Sequence, residues 1–243
     1  MAVSAGAALD GATVLVTGAS RGIGLAAART LVDAGARTFC LARSADLLAR
    51  ETESLGPLAV PLVCDLGRAA DVARVVEAMR ALPGGAPDVL VLNAGLFSLA
   101  ALEATPAETF ARTLDVNLVA PYRLLHALVP PMRARGAGHV VTIGSIADRV
   151  AFAENVAYAA SKFGARAVHE VLREELRGSG VRVSLVSPGP VDTTLWDAID
   201  PDRRSDLTPR ARMLRPEAVA AAVRFVVTLP VEVNVDEVRL SRA

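Results

Sequence analysis

The chain has 243 residues, of which 52% are hydrophobic and 21% are charged, a composition typical of one compact α/β unit with a substantial buried core. Its 26 lysines and arginines balance its 26 aspartates and glutamates, so no net field would draw the molecule to nucleic acid or to an anionic membrane. We therefore expect no nucleic-acid partner, and no apolar run of the sequence is long enough to span a bilayer.

In chain order, short β-branched runs alternate with longer Ala-, Leu- and Arg-rich segments of helical period, which indicates crossover units on a parallel sheet. The sequence predicts an α/β fold, a doubly wound Rossmann-type sheet of seven parallel strands flanked by helices, in a single domain spanning residues 1–243. The predicted strands are 13–17, 38–41, 59–64, 89–92, 139–143, 182–186 and 235–240. The predicted helices are 22–34, 45–54, 69–81, 106–135, 156–177 and 216–228.

Two features outside these elements bear on localisation and function. The apolar start, residues 1–18, lacks a positively charged leader, which argues against a removable signal. Cys40 and Cys64 each lie in an apolar run, so buried reduced thiols are a better interpretation than a disulfide, and a cytoplasmic protein is expected. Residues 191–215 form the longest stretch without a clear element, which is typical of a functional loop, and we predict a substrate loop there.

A glycine-rich turn follows the first predicted strand and opens the first helix. Bare backbone N–H groups and the helix dipole at such a place favour a bound pyrophosphate. The glycines alone are weak evidence, because a tight turn needs glycine with or without a ligand. The prediction of a nucleotide site therefore rests on where this turn lies, at the first strand-to-helix turn of an alternating chain. The predicted cofactor-binding residues of this turn are Gly18, Ser20, Arg21, Gly22, Ile23 and Gly24.

The end of the second strand indicates which nicotinamide cofactor is bound. An acidic residue there would bond the ribose 2′-hydroxyl and repel a 2′-phosphate, but this stretch carries no carboxylate. Arg43 and Arg21 are placed to hold a phosphate, although each alone is equally explained as solvated surface charge. Two arginines at these positions, with no acidic residue at the end of the second strand, favour NADP(H).

The next two strands also end in polar groups suited to the adenine side of a nucleotide. Asp65, followed by Leu66, comes just after the third strand, and Asn93-Ala94-Gly95 follows the fourth. Each is also an ordinary loop residue. Successive strand ends are where such sheets bind ligands, so we predict that all of these residues contact the cofactor.

A candidate catalytic group begins on the helix near residue 156. Tyr158 and Lys162 are four residues apart and share a helix face, so the ammonium would stabilise a phenolate and let Tyr158 exchange a proton with a carbonyl or alcohol oxygen. Ser145, just after the fifth strand, would hydrogen-bond the same oxygen. Asn117 would hold a water that connects Lys162 to solvent.

In this order and spacing the residues resemble the short-chain dehydrogenases/reductases. The matching motifs are TGASRGIG at 17–24, NAG at 93–95, Asn117, Ser145, YAASK at 158–162 and PGPVDT at 188–193, and they cover nearly the whole chain. The resemblance implies a homodimer or homotetramer, hydride transfer at the nicotinamide C4, and a Lys162 that also bonds the nicotinamide ribose. Asn117 and Tyr158 are, with Lys162, predicted cofactor-binding residues as well. It further implies that the nicotinamide is bordered by Pro188, Gly189, Val191 and Thr193.

The sequence thus predicts an NADP(H)-dependent oxidoreductase that interconverts a ketone or aldehyde and an alcohol. Residues 234–240 lack the Val-Asp-Gly-Gly ending of the 3-oxoacyl-carrier-protein reductase branch and are closer to the branch of hydroxy-acid dehydrogenases and carbonyl reductases. Two alternatives stay open, a 3-oxoacyl thioester reductase and a non-catalytic protein of the same fold that senses NADP(H).

The substrate is expected to lie over Ser145 and Tyr158 in a mostly apolar pocket, although the same side chains could be core. Arg149 and the charges of residues 197–204 could instead meet an acidic substrate or simply be solvated. The three histidines lack metal-ligand spacing, and no metal is expected. The predicted pocket residues are Ala147, Phe152, Leu195 and Trp196, joined by Leu96, Phe97 and Met213.

Overall fold

The computed structural model describes residues 9–243, so the first eight residues of the apolar start discussed above lie outside the described residues. Seven parallel strands form one sheet in the order β3-β2-β1-β4-β5-β6-β7. The order reverses between β1 and β4, which opens a crevice at the carboxyl ends of the strands. The strands are β1 (Thr13–Thr17), β2 (Arg37–Ala42), β3 (Ala59–Val63), β4 (Val89–Leu92), β5 (Gly138–Ile143), β6 (Val181–Pro188) and β7 (Glu237–Leu240).

Helices cover both faces of this sheet, which is why the central strands are apolar throughout rather than alternating. The helices are α1 (Gly22–Asp33), α2 (Ala45–Leu55), α3 (Ala69–Arg80), α4 (Ala107–Leu114), α5 (Ala120–Ala134), α6 (Val156–Glu175) and α7 (Pro216–Thr228). Helices α1, α2 and α7 contribute to one core, and α3, α5 and α6 contribute to the other. The predicted Rossmann-type fold is confirmed.

Strand β1 shows how one short segment serves both cores. Leu15 packs into the core under α3, α5 and α6, whereas Val14 and Val16 pack into the core under α1 and α7. All three side chains are completely buried. Burial of a leucine of this kind stabilises the fold by roughly 2 kcal/mol, so β1 is a rigid base for the turn that follows it.

The predicted helix 106–135 differs from the structure. It consists of α4 and α5, joined without a break by one wide π-helical turn, Asp115–Val119. Asn117 lies in this turn, and its side chain bonds the backbone of Leu96, with its oxygen 2.7 Å from the amide nitrogen and its nitrogen 2.9 Å from the carbonyl oxygen. A single extra residue per turn leaves the apolar period almost unchanged, so sequence periodicity did not reveal it.

The other element ends move by at most two residues, which is the ordinary scatter of sequence-based boundaries. The predicted substrate loop, residues 191–215, contains three short 3-10 turns, and its two ends meet where Val191 pairs with Leu214. Within residues 9–243, none of the helices combines the length and the apolarity that a bilayer span requires.

Candidate active site

A cleft of about 430 Å³ opens at the carboxyl ends of the strands, over the reversal point between β1 and β4. It brings together segments that are far apart in sequence, because each follows a different parallel strand. Most of the predicted cofactor residues line it, namely Gly18, Ser20, Arg21, Gly22, Ile23, Arg43, Asp65, Leu66, Asn93, Ala94, Gly95, Tyr158, Lys162, Pro188, Gly189, Val191 and Thr193.

Gly24, although predicted to bind the cofactor, does not line the cleft. It is buried inside α1, and a Cβ there would lie 2.1 Å from the carbonyl oxygen of Gly18. Its function in this structure is therefore close packing of α1 against the end of β1. Gly18, by contrast, faces the cleft in a left-handed conformation, with φ of +72°.

The first turn of α1 has the features of an anion site. Arg21 precedes the helix in extended conformation, no side chain caps the helix, and its first turn has no acidic residue. The first backbone N–H groups and the positive end of the helix dipole are therefore available to an anion at the cleft.

The charges at the ends of β1 and β2 suit a group with a 2′-phosphate. Arg21 and Arg43 are exposed, line the cleft and take part in no ion pair among the described residues. Asp65 is the single acidic side chain in the lining, and it lies after β3, where it accepts a hydrogen bond from the Gly67 backbone at 2.9 Å and faces Arg112 at 3.8 Å. The residues present thus fit the phosphate of NADP(H) and offer no acid to the 2′-hydroxyl of NAD(H).

Asn93, which lines the cleft, also has a structural role. Its side-chain nitrogen donates to the carbonyl oxygen of Thr17 at 2.9 Å, while the Thr17 hydroxyl accepts from the backbone nitrogens of Asn93 at 2.9 Å and of Ala94 at 3.0 Å. Asn93 thus ties the end of β4 to the end of β1 and fixes the floor of the cleft. Sequence reasoning missed Thr17, whose only local signal is a hydroxyl at the last position of a buried strand.

The predicted catalytic pair lies on α6, with both side chains in the cleft. The Lys162 ammonium is buried, donates to the carbonyl oxygen of Ile143 at 2.8 Å and lies 5.6 Å from the centroid of the Tyr158 ring. One bond to β5 thus fixes the ammonium beside the phenol. Ser145 follows β5 and lines the same cleft.

Asn117 does not line the main cleft but a cavity of about 20 Å³ behind it, which it shares with Lys162. Besides bonding Leu96, its side chain donates to the Ser161 hydroxyl at 3.0 Å. A cavity of this volume holds about one water molecule. The structure therefore places Asn117 and Lys162 around room for the predicted water, with the Asn117 side chain committed to protein partners.

These features agree with a comparison against protein families. A family model described as short chain dehydrogenase matches residues 12–204, which include the glycine-rich turn and the Tyr158–Lys162 pair. The chain belongs to the short-chain dehydrogenase/reductase family.

Relatives and solved structures of this family match almost the whole chain. D-threitol dehydrogenase of Mycolicibacterium smegmatis is 37% identical over 224 residues, which are 89% of this chain and 86% of that protein. A 3-oxoacyl-(acyl-carrier-protein) reductase of Salmonella typhimurium is 32% identical over 219 residues, 89% of each protein. A structure named as an NAD(P)-dependent gluconate 5-dehydrogenase from Beutenbergia cavernae, with NADP at low occupancy, has a TM-score of 0.87 and 30% identity, covering 98% of both chains.

Ser145 in this short-chain dehydrogenase/reductase is fixed by a neighbouring carboxylate that sequence reasoning missed. Asp148 is 1% exposed, and one of its oxygens accepts from the Ser145 backbone nitrogen at 3.3 Å and from the Ser187 hydroxyl at 2.7 Å. Its other oxygen lies 2.8 Å from Arg149 Nε and 3.5 Å from Arg166 Nη1. The sequence signal that could have identified Asp148 is the Ser-x-x-Asp spacing of a capping box.

The two arginines continue this cluster to the last strand. Arg149 bonds Glu237, the first residue of β7, and Arg166 lies 3.5 Å from the same carboxylate. Burial alone would raise the pKa of Glu237, but the hydrogen bond and charge of Arg149, with the charge of Arg166, hold it below its usual value. The cluster thus joins the Ser145 turn, α6 and β7, so Arg149 is engaged in the protein rather than facing an acidic substrate.

The substrate side of the cleft is closed by aromatic rings. Phe97 packs edge-to-face on Tyr158, with ring centroids 4.8 Å apart, and on Trp196 of the 191–215 loop, with centroids 4.9 Å apart. Leu96, Phe97, Phe152, Leu195 and Trp196 line the cleft as predicted. Ala147 and Met213 do not, because both are buried, the first within the 3-10 turn after Ser145.

The charges of the 191–215 loop also lie outside the lining. Arg204 pairs with Glu154, across the loop boundary, at 2.8 Å and with Asp206 at 2.7 Å. Arg210 pairs with Asp192 at 2.9 Å and bonds Asp197. These ion pairs brace the loop, and none of them reaches the cleft. Among residues 9–243, no group of three potential metal-ligating side chains comes together.

Proposed function

We propose that this protein is an NADP(H)-dependent oxidoreductase that interconverts a ketone or aldehyde and an alcohol by hydride transfer. The observation that carries this proposal is the placement of Tyr158, Lys162 and Ser145 in the same cleft as an acid-free nucleotide turn. Family membership supports oxidoreductase chemistry at a CH–OH or C=O carbon.

Groups that follow β1 and β2 hold the phosphates of the cofactor in this proposal. The backbone of the Gly18–Gly22 turn and the N-terminus of α1 would hold the pyrophosphate. Arg21 and Arg43 bind the 2′-phosphate, because both are free of ion pairs among the described residues and no acid accompanies them in the lining after β2. The NADP bound by the gluconate 5-dehydrogenase structure supports this choice. When bound, NADP(H) supplies the hydride, or accepts it in the reverse direction.

The protein residues handle the oxygen and its proton. In reduction, the Tyr158 hydroxyl donates its proton to the carbonyl oxygen, which Ser145 also hydrogen-bonds, so charge developing on that oxygen is stabilised from two sides. Lys162 stabilises the phenolate that remains, since its ammonium is held 5.6 Å from the ring centroid. In oxidation, the same phenolate accepts the alcohol proton.

Reprotonation of Tyr158 uses the cavity behind Lys162. The cavity volume of about 20 Å³ admits one water between Asn117 and Lys162. Asn117 and Lys162 both line this cavity, and the Asn117 side chain is held there by its bonds to Leu96 and Ser161.

A 3-oxoacyl thioester is a second candidate substrate, favoured by the 32% identity to the 3-oxoacyl-(acyl-carrier-protein) reductase over 89% of both chains. The charges of the cleft lining help to distinguish the two candidate substrates, because a carrier-bound substrate would need a cationic entrance. The arginines of the lining, Arg21, Arg43 and Arg112, lie at the nucleotide end. A simple carbonyl compound therefore fits the cleft better.

We further propose a homodimer or homotetramer in the cytoplasm. The outer faces of α5 and α6 present Tyr122, Phe163 and Val171, which are 53%, 43% and 57% exposed, as an apolar surface suited to a second copy. Cys40 and Cys64 are both free and buried, as expected in a reducing compartment. Light scattering on a sizing column should give a multiple of the monomer mass for the native chain and a smaller mass for Val171→Glu.

The function is tested by NADPH and NADH consumption with purified protein against ketones, aldehydes, quinones and 3-oxoacyl thioesters. The proposal expects NADPH to be consumed with simple carbonyl compounds at a higher kcat/KM than NADH. Faster turnover of thioesters than of every ketone would favour the second candidate. Tight NADPH binding without turnover of any compound would contradict both and favour a sensor.

A further inference from the structure

The part of the cleft beyond Tyr158 and Ser145 is built from apolar side chains. We call Leu96, Phe97, Ile146, Phe152, Leu195 and Trp196 the apolar wall; all of them line the cleft. The polar atom of this wall, the Trp196 indole N–H, is already used, because it donates to the carbonyl oxygen of Val191 at 3.1 Å. The side chains of these six residues therefore offer no hydrogen bond to a substrate substituent, and the hydroxyl of Thr194, which precedes Leu195 in the lining, is the polar side-chain group next to them in the chain.

Charged groups near the wall are also committed elsewhere. Arg149 is held by Asp148 and Glu237, and Arg204 by Glu154 and Asp206. Within the described residues, the cations that line the cleft, apart from Lys162, are arginines at the nucleotide end. A carboxylate or phosphate on the substrate would thus lose its hydration at the wall without gaining a partner.

We propose that the substrate of this site is an uncharged ketone, or the matching secondary alcohol, whose larger substituent is an apolar ring. This inference rests on the proposed function and specifies the substrate class. With the carbonyl oxygen on Ser145 and Tyr158, a ring substituent meets the edges of Phe97 and Trp196, and edge-to-face aromatic contacts are favourable.

The proposed ring ketones differ from threitol and gluconate, the sugar-like compounds that appear in the names of two relatives. Each hydroxyl of such a substrate would have to be desolvated at the wall, and an unpaired buried hydroxyl is unfavourable. An apolar site distinguishes a methyl group from a hydroxyl of equal size by about a hundredfold. The chemistry of the wall therefore selects against polyols even though the fold is shared.

Two matched pairs of ketones test this class. Acetophenone and 4-acetylbenzoate share a ring and differ by one carboxylate, whereas pentan-3-one and 1,3-dihydroxyacetone have nearly the same shape and differ by two hydroxyls. With NADPH and the native protein, we expect kcat/KM for the first member of each pair to exceed that for the second by at least about tenfold. A smaller ratio in either pair overturns the proposal.

Phe97→Ala tests the wall itself. We expect kcat/KM for acetophenone to fall at least about tenfold and that for pentan-3-one to fall less than about threefold, with part of the loss recovered in Phe97→Leu. Phe225→Ala, which removes an exposed ring from α7, is the matched control. An equal loss for both ketones would mean that Phe97 acts only by positioning Tyr158, and the ring-binding role would be wrong.

A binding measurement separates this inference from the proposed function. Trp196 is the single tryptophan of the chain, so its fluorescence reports directly on the wall. In the Tyr158→Phe variant with NADP⁺, 1-phenylethanol should change this fluorescence at a concentration at least about tenfold lower than glycerol does. If this holds while the native protein turns over no ketone, the function fails and the ring preference stands. If glycerol binds equally well, the ring preference fails whatever the turnover.

Discussion

The two halves of the cleft are built in different ways. The nucleotide half follows β1, β2 and β3 and consists of a backbone turn, a helix N-terminus and two exposed arginines, with Asn93 and Thr17 bonding backbone beneath them. The substrate half follows β4, β5 and β6 and is made of loops that side chains hold together, through Asp148 on one side and the Phe97–Trp196 contact on the other. The first half is specified by local sequence, and the second depends on tertiary contacts.

This contrast predicts that variants of the nucleotide half change cofactor affinity. Variants of the substrate half should change substrate discrimination and stability. Variants of the catalytic pair, Tyr158 and Lys162, should lower turnover itself.

The largest effect is expected from Lys162→Met. Removing the buried ammonium takes away the charge that stabilises the Tyr158 phenolate, and general acid–base catalysis of this kind contributes about 10² to 10⁴ in rate. Initial rates of NADPH oxidation should fall within that range. Arg173→Met, three turns further along α6 and outside the lining, is the comparison variant, and a similar loss there would show that the ammonium of Lys162 has no special role.

Asp148→Asn should give the next largest effect, on stability and on the substrate half. The change leaves Arg149 and Arg166 beside a neutral amide, and breaking a buried ion pair costs about 3 kcal/mol. Urea unfolding should show that loss, and kcat should fall with little change in NADPH affinity. The exposed Asp46→Asn in α2 is the control. Unchanged stability would mean that the cluster around Asp148 is not coupled to the fold.

Arg43→Ala should affect only the nucleotide half. Loss of one hydrogen-bonded charge pair is worth about 1.5 to 3 kcal/mol, which corresponds to roughly a 10- to 100-fold weaker affinity for NADPH. NADH, which lacks the 2′-phosphate, should bind within about threefold of the native affinity. Equal weakening of both cofactors, measured by titration calorimetry, would refute the phosphate assignment.

The smallest effect concerns a buried histidine outside both halves. Burial, together with the charge of neighbouring Arg173, lowers the pKa of His169 to about 4. The unfolded chain binds a proton there that the fold does not, so stability is lost as the pH falls from about 6.5 toward about 4 and is unaffected above that window.

His169→Leu should therefore reduce the pH dependence of the unfolding free energy by about 1.2 kcal/mol per pH unit between pH 6 and 5. Denaturant unfolding at the two pH values measures it. His126→Gln, which removes an exposed histidine, is the matched control. A slope equal to that of the native protein would place the acid sensitivity elsewhere.

The sequence predicted the fold and the nucleotide half because their determinants are local. Strand and helix periods, glycines at one turn and an arginine at one strand end need no knowledge of distant segments. The positions of Tyr158 and Lys162 could be predicted for the same reason, since four residues along a helix fix a shared face.

The remainder depends on contacts across the chain. The bond from Asn93 to Thr17 joins the ends of two strands, and Asp148 reads as a loop residue until Ser187 and Arg166 close around it. Ala147 is near Ser145 in sequence, but the structure buries it within the 3-10 turn. Apolar loop residues such as Phe97 could be wall or core, and only the folded loop separates the two.

The most direct test of the central claim is Tyr158→Phe, measured for both NADPH oxidation with a reactive ketone and NADPH affinity. Removing one hydroxyl takes away the proton donor and leaves the ring packed against Phe97. The account predicts a fall in kcat of about 10² to 10⁴ with NADPH affinity unchanged within about threefold. Near-native turnover by the variant would contradict the account, because the proton would then come from another group.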